Sequence, residues 1–159
     1  MPFDRRPVPL VAGLALLFAS VSGGPIGLAS PWTGDGVPLT VTVEGIRPAE
    51  GGNLLVALHL TKKSWLSFEG AVATRSVPVT SPTETVVFEG VAPGGPYAVQ
   101  VVHDRNANGK LDMRWFPFPK PREGAGVSNN KTGMGPPNFD DAAFTVGGTA
   151  LTLSIQLRY

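Results

Sequence analysis

Oxygen-bearing side chains recur at alternate positions in residues 103 to 112, whose sequence is HDRNANGKLD. Hard cations such as Ca²⁺ take oxygen ligands, and short side chains on a tight turn bring several oxygens together. Gly109 stands where the sixth position of a calcium loop needs a sharp turn. The segment therefore predicts a calcium site. Its ligands would be the side chains of Asp104, Asn106, Asn108 and Asp112 and the carbonyl oxygen of Lys110.

The predicted calcium affinity is low, because the segment offers only two carboxylates. Trp115 stands at the twelfth position, where helix-loop-helix sites have a bidentate glutamate. A third carboxylate would come from Glu123, Asp140 or Asp141, although a capping role is the preferred interpretation for Asp141. Oxygen loops of this kind in extracellular modules bind with Kd of about 10⁻⁴ to 10⁻³ M. The alternative is a metal-free loop whose Asx side chains accept hydrogen bonds from backbone N–H groups.

Other catalytic and metal chemistries have weaker support. Zinc would need His103 and His59 together with carboxylates, since the chain has no cysteine. His59 lies in an apolar run, and a structural role that holds a carbonyl of the long loop suits His103 better. A nucleophilic arrangement of Ser128, His103 and Asp140 is conceivable, but the sequence around Ser128 lacks the second glycine of a nucleophile elbow. The sequence therefore favours a protein without a catalytic site.

Aromatic residues suggest a second class of function, binding or cleavage of carbohydrate. Aromatic rings stack on sugar faces, and Trp is amphipathic. The preferred interpretation is nevertheless that these rings cover the core beneath a loop, because apolar clusters usually mean packing. The aromatic residues concerned are Trp65, Trp115, Phe116 and Phe118.

Short apolar runs separated by Gly and Pro predict an all-β fold. The segments at 39–46, 53–60, 72–79, 85–88, 97–102 and 150–157 are rich in β-branched residues, and 142–146 adds a further candidate. About seven strands at near-regular spacing predict a single antiparallel β-sandwich over residues 39–159. Residues 104–138 show little strand pattern and are interpreted as a long ordered loop over one end of the sandwich.

The N-terminus predicts export. Arg5 and Arg6 precede the apolar run at 10–19, and Gly27 and Ala29 follow with the small-x-small spacing of a cleavage site. This pattern is typical of a signal peptide over residues 1–29, with a short linker at 30–38. The apolar run is shorter than the roughly 20 residues that span a bilayer. The mature chain is therefore expected in the periplasm or outside the cell, with no membrane span.

Charge and cysteine content exclude several classes of function. Without residues 1–29, which hold Asp4, Arg5 and Arg6, the chain has 11 Lys and Arg and 11 Asp and Glu. A neutral domain has no electrostatic basis for binding nucleic acid. The absence of cysteine excludes disulfides and thiolate sites. The core must therefore stabilise the domain, with help from a metal if one binds.

Several motifs in fixed order resemble a known bacterial family. FEGVAPGGPYAV at 88–99 runs into the oxygen-rich segment, and EGAGVSNN at 123–130 and PPNFDDAAF at 136–144 follow. Over residues 39–159 the chain resembles the exported proteins of domain of unknown function 2141. The resemblance implies a transthyretin-like sandwich and export, but no established activity. The segment FPFPKPRE at 116–123 departs from the family pattern.

Together these observations predict an exported, non-catalytic binding or structural module of the cell envelope. Its expected partner is an envelope or extracellular component, with a glycan as one candidate. Calcium is the expected cofactor.

Overall fold

The structure, a computed structural model, describes residues 35–117, 119–133 and 135–159. The predicted signal peptide, residues 30–34 of the predicted linker, and Phe118 lie outside this part of the chain. The strands are β1 Val37–Glu44, β2 Asn53–His59, β3 Ala73–Pro78, β4 Thr83–Val91, β5 Gly94–Asp104, β6 Met113–Arg114, β7 Lys120–Pro121, β8 Gly124–Val127, β9 Phe144–Val146 and β10 Leu151–Gln156. One short helix, α1, covers Phe139–Ala142, and 3₁₀ turns lie at Pro48–Glu50, Lys62–Ser64, Phe68–Gly70 and Ser128–Asn130.

Two sheets confirm the predicted all-β sandwich. One has the strand order β10-β1-β4, and the other has the order β3-β2-β5-β8, with β9 pairing to β5. In β1, Leu39, Val41 and Val43 are fully buried while Thr40 and Thr42 are not, as expected for a strand with one face on the core. The core lies between the sheets and includes Leu54, Val56 and Leu58 of β2 and Val99 and Val101 of β5.

The pairing of β1 with β10 is parallel, whereas the prediction was an antiparallel sandwich. Leu39 pairs with Leu151 and Glu44 with Gln156, in the same direction. Parallel neighbours need a long crossover connection, and here the whole second sheet lies between β1 and β10 along the chain. The remaining pairs of strands are antiparallel.

Both faces of β5 are covered, which is why its last eight residues are all buried. The inner face packs on the core. On the outer face Ala98 packs with Phe139 and Ala142 of α1, and Trp65 packs against this smaller cluster. The long connection after β5 therefore contains ordered structure, as predicted, and it also contains β6, β7 and β8, which the sequence pattern did not indicate.

No helix of the described residues is long and apolar enough to cross a membrane. The predicted start of the domain at residue 39 differs by two residues from the start of β1 at Val37. The predicted signal peptide is not tested, because its residues lie outside the described part of the chain.

Candidate metal-binding loop

The oxygen-rich loop begins where the central strand β5 ends. β5 pairs with β8 through His103 and Gly124, and with β2 through Asp104 and Asn53. This register places Glu123, the residue before β8, beside the first residues of the loop. Asp104 and Glu123 are 1% and 2% exposed, respectively. Two carboxylates are thus held at the buried base of the loop, and each needs polar partners there.

Glu123 holds the two ends of the loop together. One of its carboxylate oxygens, Oε1, accepts a hydrogen bond from the N–H of Arg105 at 2.9 Å, and Oε2 accepts one from the N–H of Asp112 at 2.9 Å. The N–H of Arg122 donates to the carbonyl of Asp112 at 2.9 Å. Hydrogen bonds to a charged acceptor are stronger than neutral ones, so this single carboxylate fixes where the loop leaves and re-enters the sheet.

Asp104 holds the turn from the inside. Its Oδ1 accepts from the N–H of Asn108 at 3.1 Å, and its Oδ2 accepts from the N–H of Gly109 at 2.7 Å. Ala107 and Gly109 have positive φ values of 55° and 77°. The chain therefore turns back over Asp104 through left-handed residues, one of which is the glycine that the sequence pattern requires.

The remaining predicted ligands meet on the outer side of the turn. Asn106 Nδ2 donates to Asp112 Oδ2 at 2.9 Å, and Asn108 Nδ2 donates to Asp112 Oδ1 at 3.1 Å. Asn106 Oδ1 accepts from the N–H of Asn108, and Asn108 Oδ1 accepts from the N–H of Lys110. The four predicted side-chain ligands thus lie in one hydrogen-bonded cluster. Its Asx turns are those of the metal-free alternative.

The cluster contains few anionic ligands. No group of three or more His, Asp or Glu side chains converges into a metal site within the described ranges. The two carboxylates of the loop are accompanied by amide oxygens and by the carbonyl of Lys110, which accepts no hydrogen bond from the residues that the structure describes. Such a donor set suits a hard cation that accepts neutral oxygens, and it does not suit zinc.

None of the three candidates for an additional carboxylate ligand is free beside the cluster. Both oxygens of Glu123 accept backbone hydrogen bonds. Asp140 pairs with Lys62 at 2.6 Å, and Asp141 pairs with Lys131 at 3.4 Å. The expected role of Asp141 in capping the turn before the strand is not seen, because Asp141 lies within α1 and its carboxylate pairs with Lys131.

An open pocket adjoins the cluster and was not anticipated from the sequence. Its volume is about 450 Å³. Arg105 Nη1 pairs with Glu50 Oε2 across it at 3.2 Å, and Arg105 Nη2 donates to the carbonyl of Arg122. No sequence signal linked Glu50 to a loop more than fifty residues away. The pocket is lined by Glu50, Arg105, Asn106, Asp112, Arg122 and Glu123.

His103 has the structural role expected of it, with a different carbonyl partner. Its Nε2 lies 2.7 Å from the carbonyl oxygen of Gly51, in the β1–β2 connection, and its Nδ1 lies 2.7 Å from the hydroxyl of Tyr159. Because a carbonyl only accepts, Nε2 donates and Nδ1 accepts from the Tyr159 hydroxyl in the neutral ring. Burial raises the pKa of Tyr159, which keeps its hydroxyl protonated. Both ring nitrogens are engaged, so His103 is not a zinc ligand here.

The conceivable catalytic arrangement is not assembled. Ser128 Oγ is fully buried, accepts from the N–H of Val99 at 3.0 Å and donates to the carbonyl of Ala142 at 2.5 Å. His103 bonds to Gly51, and Asp140 pairs with Lys62. Ser128, which follows β8, therefore links β5 to α1.

The aromatic residues divide into two groups. Trp65 packs edge-on against His59 and Phe139, with ring centroids 5.2 and 5.7 Å apart, and its Nε1 donates to the carbonyl of Pro137 at 2.8 Å. Trp115 and Phe116 are 72% and 84% exposed. The expectation that the aromatic rings cover the core is thus confirmed for Trp65 and wrong for Trp115 and Phe116.

Comparison with known proteins supports the resemblance seen in the sequence. A family model described as "Uncharacterized protein conserved in bacteria (DUF2141)" matches residues 41–154. Searches of curated proteins and of solved structures gave no match. The match begins within β1 and ends within β10, so it covers both sheets and the oxygen-rich loop.

Proposed function

Because the chain belongs to this family of uncharacterized bacterial proteins, we propose that it is an exported, non-catalytic binding or structural module of the cell envelope. We further propose that its loop at 104–112 binds calcium weakly. The observation that carries the calcium proposal is the convergence of Asp104, Asn106, Asn108 and Asp112 in one cluster. The export proposal rests on the signal-peptide pattern of residues 1–29.

Calcium would change the outer half of the loop more than its base. Asp104 and Glu123 already have backbone partners, and these bonds hold the loop without a metal. On the outer side, the amide NH₂ groups of Asn106 and Asn108 face Asp112. If each amide rotates by a half-turn, its oxygen takes the place of its nitrogen on the side that faces Asp112. The amide and carboxylate oxygens together are then the donor set that Ca²⁺ prefers. Binding would thus replace the two amide hydrogen bonds to Asp112 by metal–oxygen contacts, and it would also break the two Asx-turn bonds in which these amide oxygens accept from the N–H groups of Asn108 and Lys110.

The test is the thermal midpoint in chelator and in millimolar calcium, with magnesium as a control. For a Kd of about 10⁻⁴ M, calcium at millimolar concentration adds about 1.4 kcal/mol of stability. That free energy corresponds to a rise of about 5 °C for a domain of this size. Magnesium should give a smaller shift, because it demands octahedral geometry and loses its water reluctantly.

Asp112→Asn is the informative variant, since Asp112 is half-buried and its partners are side-chain amides. Asp104→Ala is less useful, because it also removes the hydrogen bonds of Asn108 and Gly109 and destabilises the loop without any metal. We expect Asp112→Asn to abolish the calcium-induced shift, whereas the matched control Asp140→Asn, on α1, retains it. An equal midpoint with and without calcium in the wild-type protein would leave only the metal-free turn.

Carbohydrate binding is the second candidate function, and the exposure of Trp115 is the observation that favours it. Sugar sites combine exposed rings with polar side chains that bond to hydroxyls. Trp65 is packed and cannot contribute a ring face. A glycan array tests this candidate: a hit that Trp115→Ala abolishes supports it, and the absence of any hit refutes it.

A further inference from the structure

A short hairpin projects from the base of the candidate metal-binding loop. It consists of β6 and β7, with Met113 paired to Pro121 and Arg114 to Lys120. Its base is fixed, because the N–H of Asp112 donates to Glu123 and the N–H of Arg122 donates to the carbonyl of Asp112. Two hydrogen bonds thus fix the base of this hairpin. We call the described residues 113–117 and 119–121 the aromatic hairpin.

The tip of the aromatic hairpin exposes large apolar side chains. Trp115 is 72% exposed and Phe116 is 84% exposed. In the part of the chain that the structure describes, Val87 is the one other large hydrophobic residue classed as exposed, at 37%. Placing two adjacent aromatic rings in water costs apolar transfer free energy that packing on the protein would recover. Adjacent exposed rings at a fixed tip indicate a binding surface.

Four exposed cations lie within the hairpin or beside it along the chain. Within the described residues, none of their side chains forms an ion pair. The acids next to them along the chain are otherwise engaged: Asp112 is half-buried and bonded to two amides, and Glu123 is buried. Since residues 30–159 carry equal numbers of cations and anions, this local excess is compensated elsewhere on the molecule. The exposed cations are Lys110, Arg114, Lys120 and Arg122.

We propose that the aromatic hairpin docks the protein on an anionic lipid surface, with Trp115 and Phe116 entering the headgroup region and the flanking cations contacting lipid phosphates. Trp is enriched at membrane interfaces because its ring is apolar and its N–H is polar. Each Lys or Arg near an anionic surface adds about 1 kcal/mol, or roughly fivefold in affinity. This partner deepens the proposed envelope role, but it rests on the hairpin and not on the calcium loop.

The composition of the hairpin favours lipid over glycan. Residues 113–121, MRWFPFPKP, include no Asp, Glu, Asn, Gln, Ser or Thr. A glycan site would need several such groups to bond sugar hydroxyls, whereas an interfacial site needs apolar rings and cations.

The experiment measures binding of residues 30–159 to vesicles by co-sedimentation. All described strands and both apolar clusters lie within this segment, so we expect it to fold alone, which cooperative thermal unfolding checks. Omitting the apolar run at 10–19 prevents it from binding lipid by itself. One set of vesicles is phosphatidylcholine, and the other is an equal mixture of phosphatidylcholine and phosphatidylglycerol. Chelator is present throughout, so that the outcome does not depend on calcium.

We expect binding to the anionic vesicles, weakening as salt is added. Trp115→Ser combined with Phe116→Ser should lower the partition coefficient at least tenfold, and the matched control Val87→Ser should leave it unchanged. Lys120→Ser should lower it about fivefold. The control Lys63→Ser removes an exposed cation that lies far from the hairpin along the chain and should have little effect.

Trp115→Phe separates insertion from a merely electrostatic contact. It should retain binding but lose the blue shift in tryptophan fluorescence that the wild-type protein shows on anionic vesicles. Binding that is equal in the double serine variant would overturn the proposal. So would an absence of vesicle binding, and a glycan-array hit lost in Trp115→Ala would then assign the hairpin to carbohydrate.

Discussion

Replacing Glu123 by Gln tests whether one buried carboxylate positions the loop. In the wild-type protein, its two oxygens accept hydrogen bonds of 2.9 Å from the N–H groups of Arg105 and Asp112. Gln keeps the size of the side chain but has one carbonyl oxygen, and its NH₂ group would face the other N–H. The variant therefore loses one charge-assisted hydrogen bond and weakens the second.

Hydrogen bonds to charged groups contribute about 1.5 to 3 kcal/mol each. Both N–H groups here are only partly buried, so water can solvate the one left unpaired. We therefore expect the free energy of unfolding to fall by about 2 kcal/mol. For a domain of this size the thermal midpoint falls by about 4 °C per kcal/mol, which gives a decrease of about 8 °C.

Denaturant unfolding at 25 °C measures the free energy, and a thermal scan checks the midpoint. Glu69→Gln is the matched control, because Glu69 is exposed and we expect its replacement to change stability by less than about 0.5 kcal/mol. The loop geometry should also loosen, so the calcium-induced shift should shrink in Glu123→Gln. A loss of stability no larger than in the control would refute the role assigned to Glu123.

Three further predictions follow from the described contacts. Gly109→Ala should destabilise the fold by about 1 kcal/mol, because the φ of +77° is unfavourable for alanine even though the added Cβ meets nothing within 4 Å. Ala107→Gly, at a φ of 55°, should instead stabilise the fold. The denaturant midpoints of both variants measure these changes in stability. Tyr159→Phe should cost about 1 to 3 kcal/mol in the same assay, because it leaves a ring nitrogen of buried His103 without its partner. Burial holds the pKa of His59 below its ordinary value of 6.5. As the pH drops below about 6.5, the unfolded chain therefore takes up a proton before the folded protein does, and the free energy of unfolding should decrease. His59→Gln should flatten this decrease, and an unchanged pH profile in that variant would contradict the prediction.

His59 shows why the environment of a residue does not follow from its pattern. The sequence places His59 in an apolar run and predicts a strand residue, which is confirmed. Its ring is fully buried, and its nitrogens make no hydrogen bond of good geometry to the described residues, although Gln100 and the backbone of Ser64 lie beside it. Trp65 contacts it from a 3₁₀ segment whose position depends on tertiary packing.

Local order along the chain was predictable where burial has a simple period. The alternation in β1 and the apolar runs of β2, β3, β5 and β10 indicated strands, because the side chains of a strand with one buried face alternate between core and solvent. β8 was not anticipated, since its sequence, GAGV, carries almost no hydrophobic signal. It pairs with β5, and its small residues also let it lie close to β10, since a Cβ added at Gly126 would lie 2.8 Å from Ile155.

The sequence by itself determined the all-β class, the family resemblance and the turn of residues 104–112, because strand patterns and Asx-glycine turns depend on neighbours a few residues apart. Tertiary structure alone decided which carboxylate closes the loop, which carbonyl His103 holds, that Ser128 is structural, and that Trp115 and Phe116 face outward. The physical reason is distance along the chain. Glu123 reaches Arg105, and Glu50 reaches the same residue from the other side, only because β5 pairs with β2 and β8 in one register.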